Sequence, residues 1–139
     1  MKNKMIGFIG CGNMGKAMLG SLISSGEIRK ENIIVSAKTE ASKEVIEKEF
    51  AVKATNDNKE VAAKANIIFL AVKPHFFKEV ISEIKDVVSK DSIIVSIAAG
   101  ITIEQIEEYF GFAVKVIRTM PNTPALVGEG MSAICKNKH

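Results

Sequence analysis

Gly10, Gly12 and Gly15 stand in the spacing G-x-G-x-x-G, between an apolar run and the start of a helical pattern. The chemistry suited to that arrangement is phosphate binding. Gly10 permits a tight turn, and Gly12 lets a pyrophosphate approach the backbone with no Cβ in the way. Gly15 lets the helix pack close to the strand. A pyrophosphate would then face the helix N-terminus, where unpaired N–H groups and the macrodipole favour an anion. The alternative is a glycine-rich turn with packing roles only. Cys11, inside the turn, has two readings: a thiol made reactive by the helix N-terminus, or a small side chain that fits beneath a cofactor. No base lies near it in the sequence.

A dinucleotide site of this kind reads its cofactor at the end of the next strand. An Asp or Glu about 20 residues past the turn accepts hydrogen bonds from the ribose 2′-OH of NAD. Here the strand ends Val35-Ser36-Ala37-Lys38-Thr39, with no acid before Glu40. Hydroxyls and one cation replace the carboxylate that would repel a 2′-phosphate. NADP(H) is therefore the expected preference, with NAD(H) possible. The competing reading makes Lys38 an ordinary solvated loop residue.

Three further segments close apolar runs: Ala71-Val72-Lys73-Pro74-His75, Ser96-Ile97-Ala98-Ala99-Gly100 and Arg118-Thr119-Met120-Pro121-Asn122-Thr123-Pro124. In open α/β sheets ligands bind beyond the carboxyl ends of the strands, where such segments gather. Ala98, Ala99 and Gly100 let a ligand lie close to the backbone. Pro74 holds Lys73 extended. Pro121 and Pro124 stiffen a loop carrying the amide of Asn122 and the hydroxyl of Thr123. No nucleophile, metal cluster or carboxylate pair is evident, and hydride transfer needs none. His75 reads as a surface residue and His139 is terminal. Arg118 either attracts a substrate carboxylate or pairs with an acid such as Glu129.

The elements that must position these residues follow from apolar periodicity. Residues 5–9, 33–36, 51–54, 67–72, 92–97 and 113–117 read as strands, and the tail over 130–135 offers one more. Helical spacing marks 13–25, 40–50, 57–65 and a stretch from Phe77 through Val80, Ile81, Ile84 and Val88. Thr102 and Gln105 have capping-box spacing ahead of a helix running to Phe110. Strand alternates with helix throughout, and the strands are apolar on both faces. That implies one α/β domain: a doubly wound, mostly parallel sheet with helices on both sides.

Composition sets the outer bounds. The chain has 139 residues, 47% hydrophobic and 25% charged, which is the size of one domain with a real core. Two cysteines, Cys11 and Cys135, make no disulfide framework. A net charge of +3, scattered along the chain, points to no nucleic-acid or membrane partner. No apolar run approaches a membrane span, and no signal peptide is indicated. A reducing cytoplasm is the expected location.

Taken in order, GFIGCGNMG, FLAVKPH, SIAAGI and RTMPNTPALVGEGMSAI resemble the pyrroline-5-carboxylate reductases, the last enzymes of proline biosynthesis. The resemblance runs from Met5 to Ile134, and MPNTPALVGEGM is its most family-specific part. It implies a Rossmann-type domain and NAD(P)H-dependent reduction of the cyclic imine 1-pyrroline-5-carboxylate to L-proline. By that resemblance Ile9, Gly10, Cys11, Gly12, Asn13 and Met14 hold the pyrophosphate, with Gly15 behind them. Ser36, Lys38 and Thr39 take the adenosine ribose or its phosphate, and Asn58 lies near the adenine. Val72, Lys73 and Pro74 contact the ribose and phosphates, and Ala98 and Ala99 the nicotinamide. Met120, Pro121, Asn122 and Thr123 form the floor between nicotinamide and substrate.

Asn66 departs from the family, which often has Asp there; the position is a strand entry. Family members also continue into an all-helical domain that builds the dimer, closes the pocket and carries the hydroxyl assigned to the imine. The resemblance thus makes residues 1–139 the cofactor-binding domain, a monomer or weak dimer by itself, with the proton donor elsewhere. The alternatives are a dinucleotide-binding module without turnover, or another imine or deazaflavin-linked reductase of the same fold. The latter would not be expected to carry the MPNTP loop.

Overall fold

Strands made of Ile, Val, Leu and Phe on both faces must be covered twice, and a sheet flanked by helices does this. The computed structural model describes residues 3–121 and 132–139. Within them β1 (Ile6–Ile9), β2 (Ile33–Ser36), β3 (Lys53–Thr55), β4 (Ile67–Leu70), β5 (Ile93–Ser96), β6 (Lys115–Pro121) and β7 (Ser132–Lys136) form one sheet. Its order is β3-β2-β1-β4-β5-β6-β7, parallel everywhere except between β6 and β7. The crossovers are α1 (Asn13–Ser24), α2 (Glu40–Phe50), α3 (Asn58–Lys64), α4 (Phe77–Ile84) and α5 (Ile103–Phe110). Chain order runs outward from β1 in one direction and then from β4 in the other. The reversal lies between β1 and β4, where open sheets of this kind leave a crevice.

Two apolar cores sit on opposite faces. One joins Leu19 of α1 and Ile46 of α2 to Ile6, Phe8, Ile33 and Val35. The other joins Val61 of α3, Phe77, Ile81 and Ile84 of α4, and Ile106 and Phe110 of α5 to Ile9, Ile68, Leu70 and Ile94. Each such side chain contributes about 1.5–3 kcal/mol when fully buried. Phe8 and Phe69 stack across neighbouring strands with ring centroids 4.6 Å apart. The contact between α3 and β1 depends on a missing side chain. A Cβ at Gly7 would come within 2.6 Å of Val61 Cγ1 and 2.8 Å of Ala65 Cβ. Neither core includes Ile93, Ile97 or Ile117, which stay half-buried.

The helix ends match the residue types placed there. Thr39 caps α2 and Asp57 caps α3, each accepting a backbone N–H, and Thr102 with Gln105 forms the full capping box on α5. Several boundaries differ from the periodic reading. The third strand lies at Lys53–Thr55, not 51–54, because Ala51 turns left-handed (φ 55°) and donates its N–H to Glu47 O to close α2. β4 stops at Leu70 and α4 at Ile84, although Val88 remains buried beyond it. The largest difference is β6. It continues to Pro121, because β7 pairs antiparallel with its outer half through Thr119↔Ile134, Met120↔Ala133 and Pro121↔Ser132. Arg118 to Pro121, expected in a loop, are therefore strand.

Candidate functional site

Hydrogen-bond register lines up the strand ends. Ser36, Ile9, Leu70, Ser96 and Arg118 are successive Cα partners across β2, β1, β4, β5 and β6. The glycine turn, the Lys38 segment, the Lys73-Pro74 segment and the Ala98-Ala99 segment all leave the sheet just past this row. The sequence-predicted residues before 121 thus collect along one edge. Asn122 and Thr123 lie outside the described residues, as does the side chain of Pro121.

The three glycines differ in what requires them. Gly10 has φ +80°, and a Cβ there would stand 2.7 Å from Val72 Cγ1. A Cβ on Gly15 would stand 3.2 Å from Ala71 Cβ, so α1 lies close over the strand exit. Gly12 is extended (φ −72°, ψ −166°) and caps α1 without any side-chain hydrogen bond. A Cβ there would meet nothing within 4 Å. No described protein atom needs a glycine at 12, whereas a ligand at the open helix N-terminus would. That space and its free N–H groups suit a pyrophosphate.

Ile9 is fully buried and works through its backbone, accepting the Ala71 N–H at 2.9 Å. Asn13 is exposed, and Met14 is half-buried on the first turn of α1. Cys11 is half-buried, and burial pushes its thiol up to about 11 despite the opposing pull of Lys16. It is a neutral packing residue near neutral pH, which weighs against the reactive-thiol reading.

On the other side of the turn, the cleft is built around Ser36. Its hydroxyl is buried, accepts the Gly10 N–H at 3.3 Å and donates to Asn58 Oδ1 at 2.6 Å. Asn58 Nδ2 in turn donates to Glu83 Oε2 at 3.1 Å. Lys38 lies over the Phe76 ring, its Nζ 5.0 Å from the centroid. Thr39 is committed elsewhere: its hydroxyl accepts the Ser42 N–H and donates to Ser42 Oγ, which makes it a helix cap. Ser36, Ala37, Lys38, Asn56, Asn58, Val72, Phe76, Glu79, Val80 and Glu83 surround a cleft of about 290 Å³. That is at the small end of ligand pockets and fits a nucleoside, not a whole dinucleotide.

The sequence marks Val80 only as part of an apolar helix stripe, and it gives no signal for Phe76, Glu79 or Glu83 at this cleft. Glu79 and Glu83 are spaced i, i+4 and read as the solvated face of an amphipathic helix. A short 3₁₀ turn over Pro74–Phe76 brings that face to the β2 end. Lys73 is extended before Pro74, as expected, and both are exposed. Farther along the row Ala98 is buried, Ala99 is exposed, and Ala98 N donates to Ser96 Oγ at 3.4 Å. Met120 is 40% exposed. Arg118 Nη2 approaches Met120 Sδ at 3.8 Å, and its buried Nε has no hydrogen-bond partner among the described residues. No helix among the described residues is long and apolar enough to cross a membrane.

Residues 5–100 match the family described as NADP oxidoreductase, coenzyme F420-dependent. The chain is 48% identical to the pyrroline-5-carboxylate reductase of Escherichia coli (strain K12) over 134 residues, which is 96% of this chain and 50% of that protein. A pyrroline-5-carboxylate reductase structure from Coxiella burnetii superposes with a TM-score of 0.93 at 34% identity, covering 99% of this chain and 51% of that one. The Plasmodium falciparum pyrroline carboxylate reductase with NADP bound superposes with a TM-score of 0.88 at 34% identity, covering 100% and 50%. The chain therefore spans about half the length of the relatives it matches.

Proposed function

Because the chain belongs to the NADP oxidoreductase, coenzyme F420-dependent family, we propose that it binds NADP(H) and forms the cofactor-binding half of a pyrroline-5-carboxylate reductase. The observation that carries this reading is the open space in front of Gly12, at the head of a helix and midway along the row of strand ends. The similarity to an NADP-bound relative supports the choice of cofactor.

In this reading the turn from Gly10 to Gly15 holds the pyrophosphate. Ser36 and Asn58 hold the adenosine, and Lys38 meets the 2′-phosphate. Val72, Lys73 and Pro74 flank the ribose and phosphates, and Ala98 and Ala99 lie against the nicotinamide. Met120, Pro121, Asn122 and Thr123 form the floor toward the substrate, where Arg118 attracts its carboxylate. When bound, the cofactor supplies the hydride for the C=N carbon. The chain's own residues orient the dinucleotide and keep water from its reactive end. The proton donor belongs to a helical second domain. Residues 1–139 taken by themselves would form a monomer or weak dimer with little turnover, and the cytoplasm is the proposed location.

The family description favours a second reading, a deazaflavin-linked reductase. Its match stops at residue 100, whereas the similarity to the imine reductases takes in nearly the whole chain, Arg118 to Thr123 included. That longer match favours the first reading. Titration of the chain with NADPH, followed by nicotinamide fluorescence, tests cofactor binding, and saturation is expected. NADPH oxidation with the cyclic imine should then rise when the helical half is added as a separate polypeptide. Failure to bind NADPH rejects the proposal, and binding without turnover in either arrangement leaves a non-catalytic module. Gel filtration showing a tight dimer would contradict the expected state.

A further inference from the structure

β6 outruns its inner neighbour. The last β5 partner on it is Ser96, opposite Arg118, so among the described residues β7 alone pairs with Thr119, Met120 and Pro121. The placement of that outer half depends on the register of β7, and little in β7 itself sets one. Its sequence, Ser-Ala-Ile-Cys-Lys, is weakly patterned, and Cys135 and Lys136 are exposed. A strand of that kind is prone to slide along its partner. A two-residue turn would forbid sliding, but residues 122–131 make the connection, and a link of that length dictates no register. The anchor lies just past the strand. Asn137 N donates to Val116 O at 3.1 Å, and Val116 N donates to Asn137 Oδ1 at 3.2 Å, so the side-chain amide completes the next rung of the ladder. Asn137 Nδ2 spends one proton on Val114 O at 2.7 Å and the other on Glu107 Oε1 of α5 at 2.6 Å. A carboxylate only accepts, so Glu107 fixes which way the amide is turned. Asn137 thus ties β7 to β6 and α5 at one half-buried point.

We propose that Asn137 is a positioning residue: by pinning the register of β7 it places Met120 and Pro121 at the substrate end of the strand-end row. The proposal rests on the reading of Met120 to Thr123 as the floor between nicotinamide and substrate. Pin and floor stand at opposite ends of one ladder. From Asn137 beside Val116 the pairing runs through Lys136↔Ile117 and Cys135↔Arg118 to Ala133↔Met120 and Ser132↔Pro121. A slip of one residue would turn every β7 side chain to the other face of the sheet and change what stands opposite Met120. Without the pin, the half of β6 that β5 does not reach loses its fixed neighbour. The glycine turn and the Ser36 end keep theirs, because β1, β2 and β4 pair through ladders of their own. The adenosine end is thereby insulated from the change.

Calorimetric titration of Asn137→Ala with NADP⁺ and with adenosine 2′,5′-bisphosphate, which lacks the nicotinamide, tests this. NADP⁺ should bind about three- to fivefold more weakly while the bisphosphate stays within about 1.5-fold, since only the nicotinamide end meets the floor. Amide exchange across the Met120↔Ala133 pair should quicken, with protection over β1, β2 and β4 unchanged. Asn137→Asp should share the defect, because its carboxylate would face that of Glu107. Adding Glu107→Gln should restore most of the NADP⁺ affinity, since the new amide donates to that carboxylate. Unfolding midpoints check that each variant folds. A merely structural role would weaken both ligands alike and raise exchange throughout the sheet. Equal weakening of both ligands, or an unchanged NADP⁺ affinity, would overturn the proposal. Failure of wild type to bind NADP⁺ would sink the cofactor reading and this one with it, whereas normal wild-type binding with an indifferent Asn137→Ala would sink only the positioning role.

Discussion

The two ends of the strand-end row are built in opposite ways. At the β2 end, polar side chains are already interlocked: Ser36 with Gly10 and Asn58, Asn58 with Glu83, Lys38 with Phe76. At the β5 end, Ala98, Ala99 and Gly100 offer backbone and small apolar surface, and Ser96 serves its own turn. Recognition by directional bonds is thus concentrated where the invariant part of a dinucleotide would lie. In the proposed reading the other end would supply a smooth surface for a ring whose face must stay accessible to a second reactant. Half-buried Ile93, Ile97 and Ile117 extend that plainness onto the sheet itself.

The sharpest way to break the contrast is to strike between the ends. Gly12→Val should weaken NADP⁺ binding by about 100-fold, since its side chain would fill the pyrophosphate space. Because that space holds no protein atom within 4 Å, thermal unfolding should barely move. A large drop in unfolding temperature would mean that Gly12 has a packing role after all. Ser36→Ala attacks the polar end and should lower both quantities. It leaves the Asn58 amide oxygen short of a donor, while Gly10 N–H keeps the Ser36 carbonyl, at a cost of about 1–3 kcal/mol in denaturant unfolding. Affinity should fall with it.

Lys38→Glu should lower NADP⁺ affinity about tenfold while NAD⁺ stays within about twofold, with the difference shrinking as salt is raised. Equal effects on both cofactors would remove Lys38 from the 2′-phosphate. Ala99→Leu probes the plain end. NADP⁺ binding should weaken by about threefold, while adenosine 2′,5′-bisphosphate, which has no nicotinamide, should bind as before. The smallest effect belongs to the brace beneath the polar end. Glu60 is held down to about 2 by Lys53 and Lys64, which donate to it at 2.6 and 2.8 Å. A carboxyl lowered on folding contributes stability above its ordinary value of 4.5, and that contribution is lost as pH falls toward 2. Glu60→Gln should therefore lower the melting temperature by about 2 °C or less near neutral pH and low salt. Melts in strong acid should show no difference.

Much of this was legible in the chain because the signals are local. The G-x-G-x-x-G spacing between an apolar run and a helical pattern located the turn, and Thr102 with Gln105 announced the start of α5. Short double-faced apolar runs announced a mostly parallel sheet. What escaped depends on partners distant in sequence. β6 reads as ending at Ile117, since only pairing with β7 more than ten residues later carries it to Pro121. Thr39 looks like a ligand donor until Ser42 is seen to take its hydroxyl. Glu83 reads as solvent-facing, and only the position of α4 against the first turn of α3 brings it to Asn58. Periodicity describes which side of a helix is apolar, not which neighbour its polar side will meet.

The stitching of the glycine turn has a thermodynamic consequence. Gly10 N donates to both the carbonyl and the hydroxyl of Ser36, Ala71 N donates to Ile9 O, and Lys16 N donates to Gly12 O. The turn's shape is therefore set by bonds internal to the protein, before any ligand arrives. Ordering a free backbone costs about 1–2 kcal/mol per residue, and here folding has already met that cost. Association at this turn should behave as docking to a preorganised surface, with a modest entropic penalty and little change in amide-exchange protection at Gly10 and Lys16.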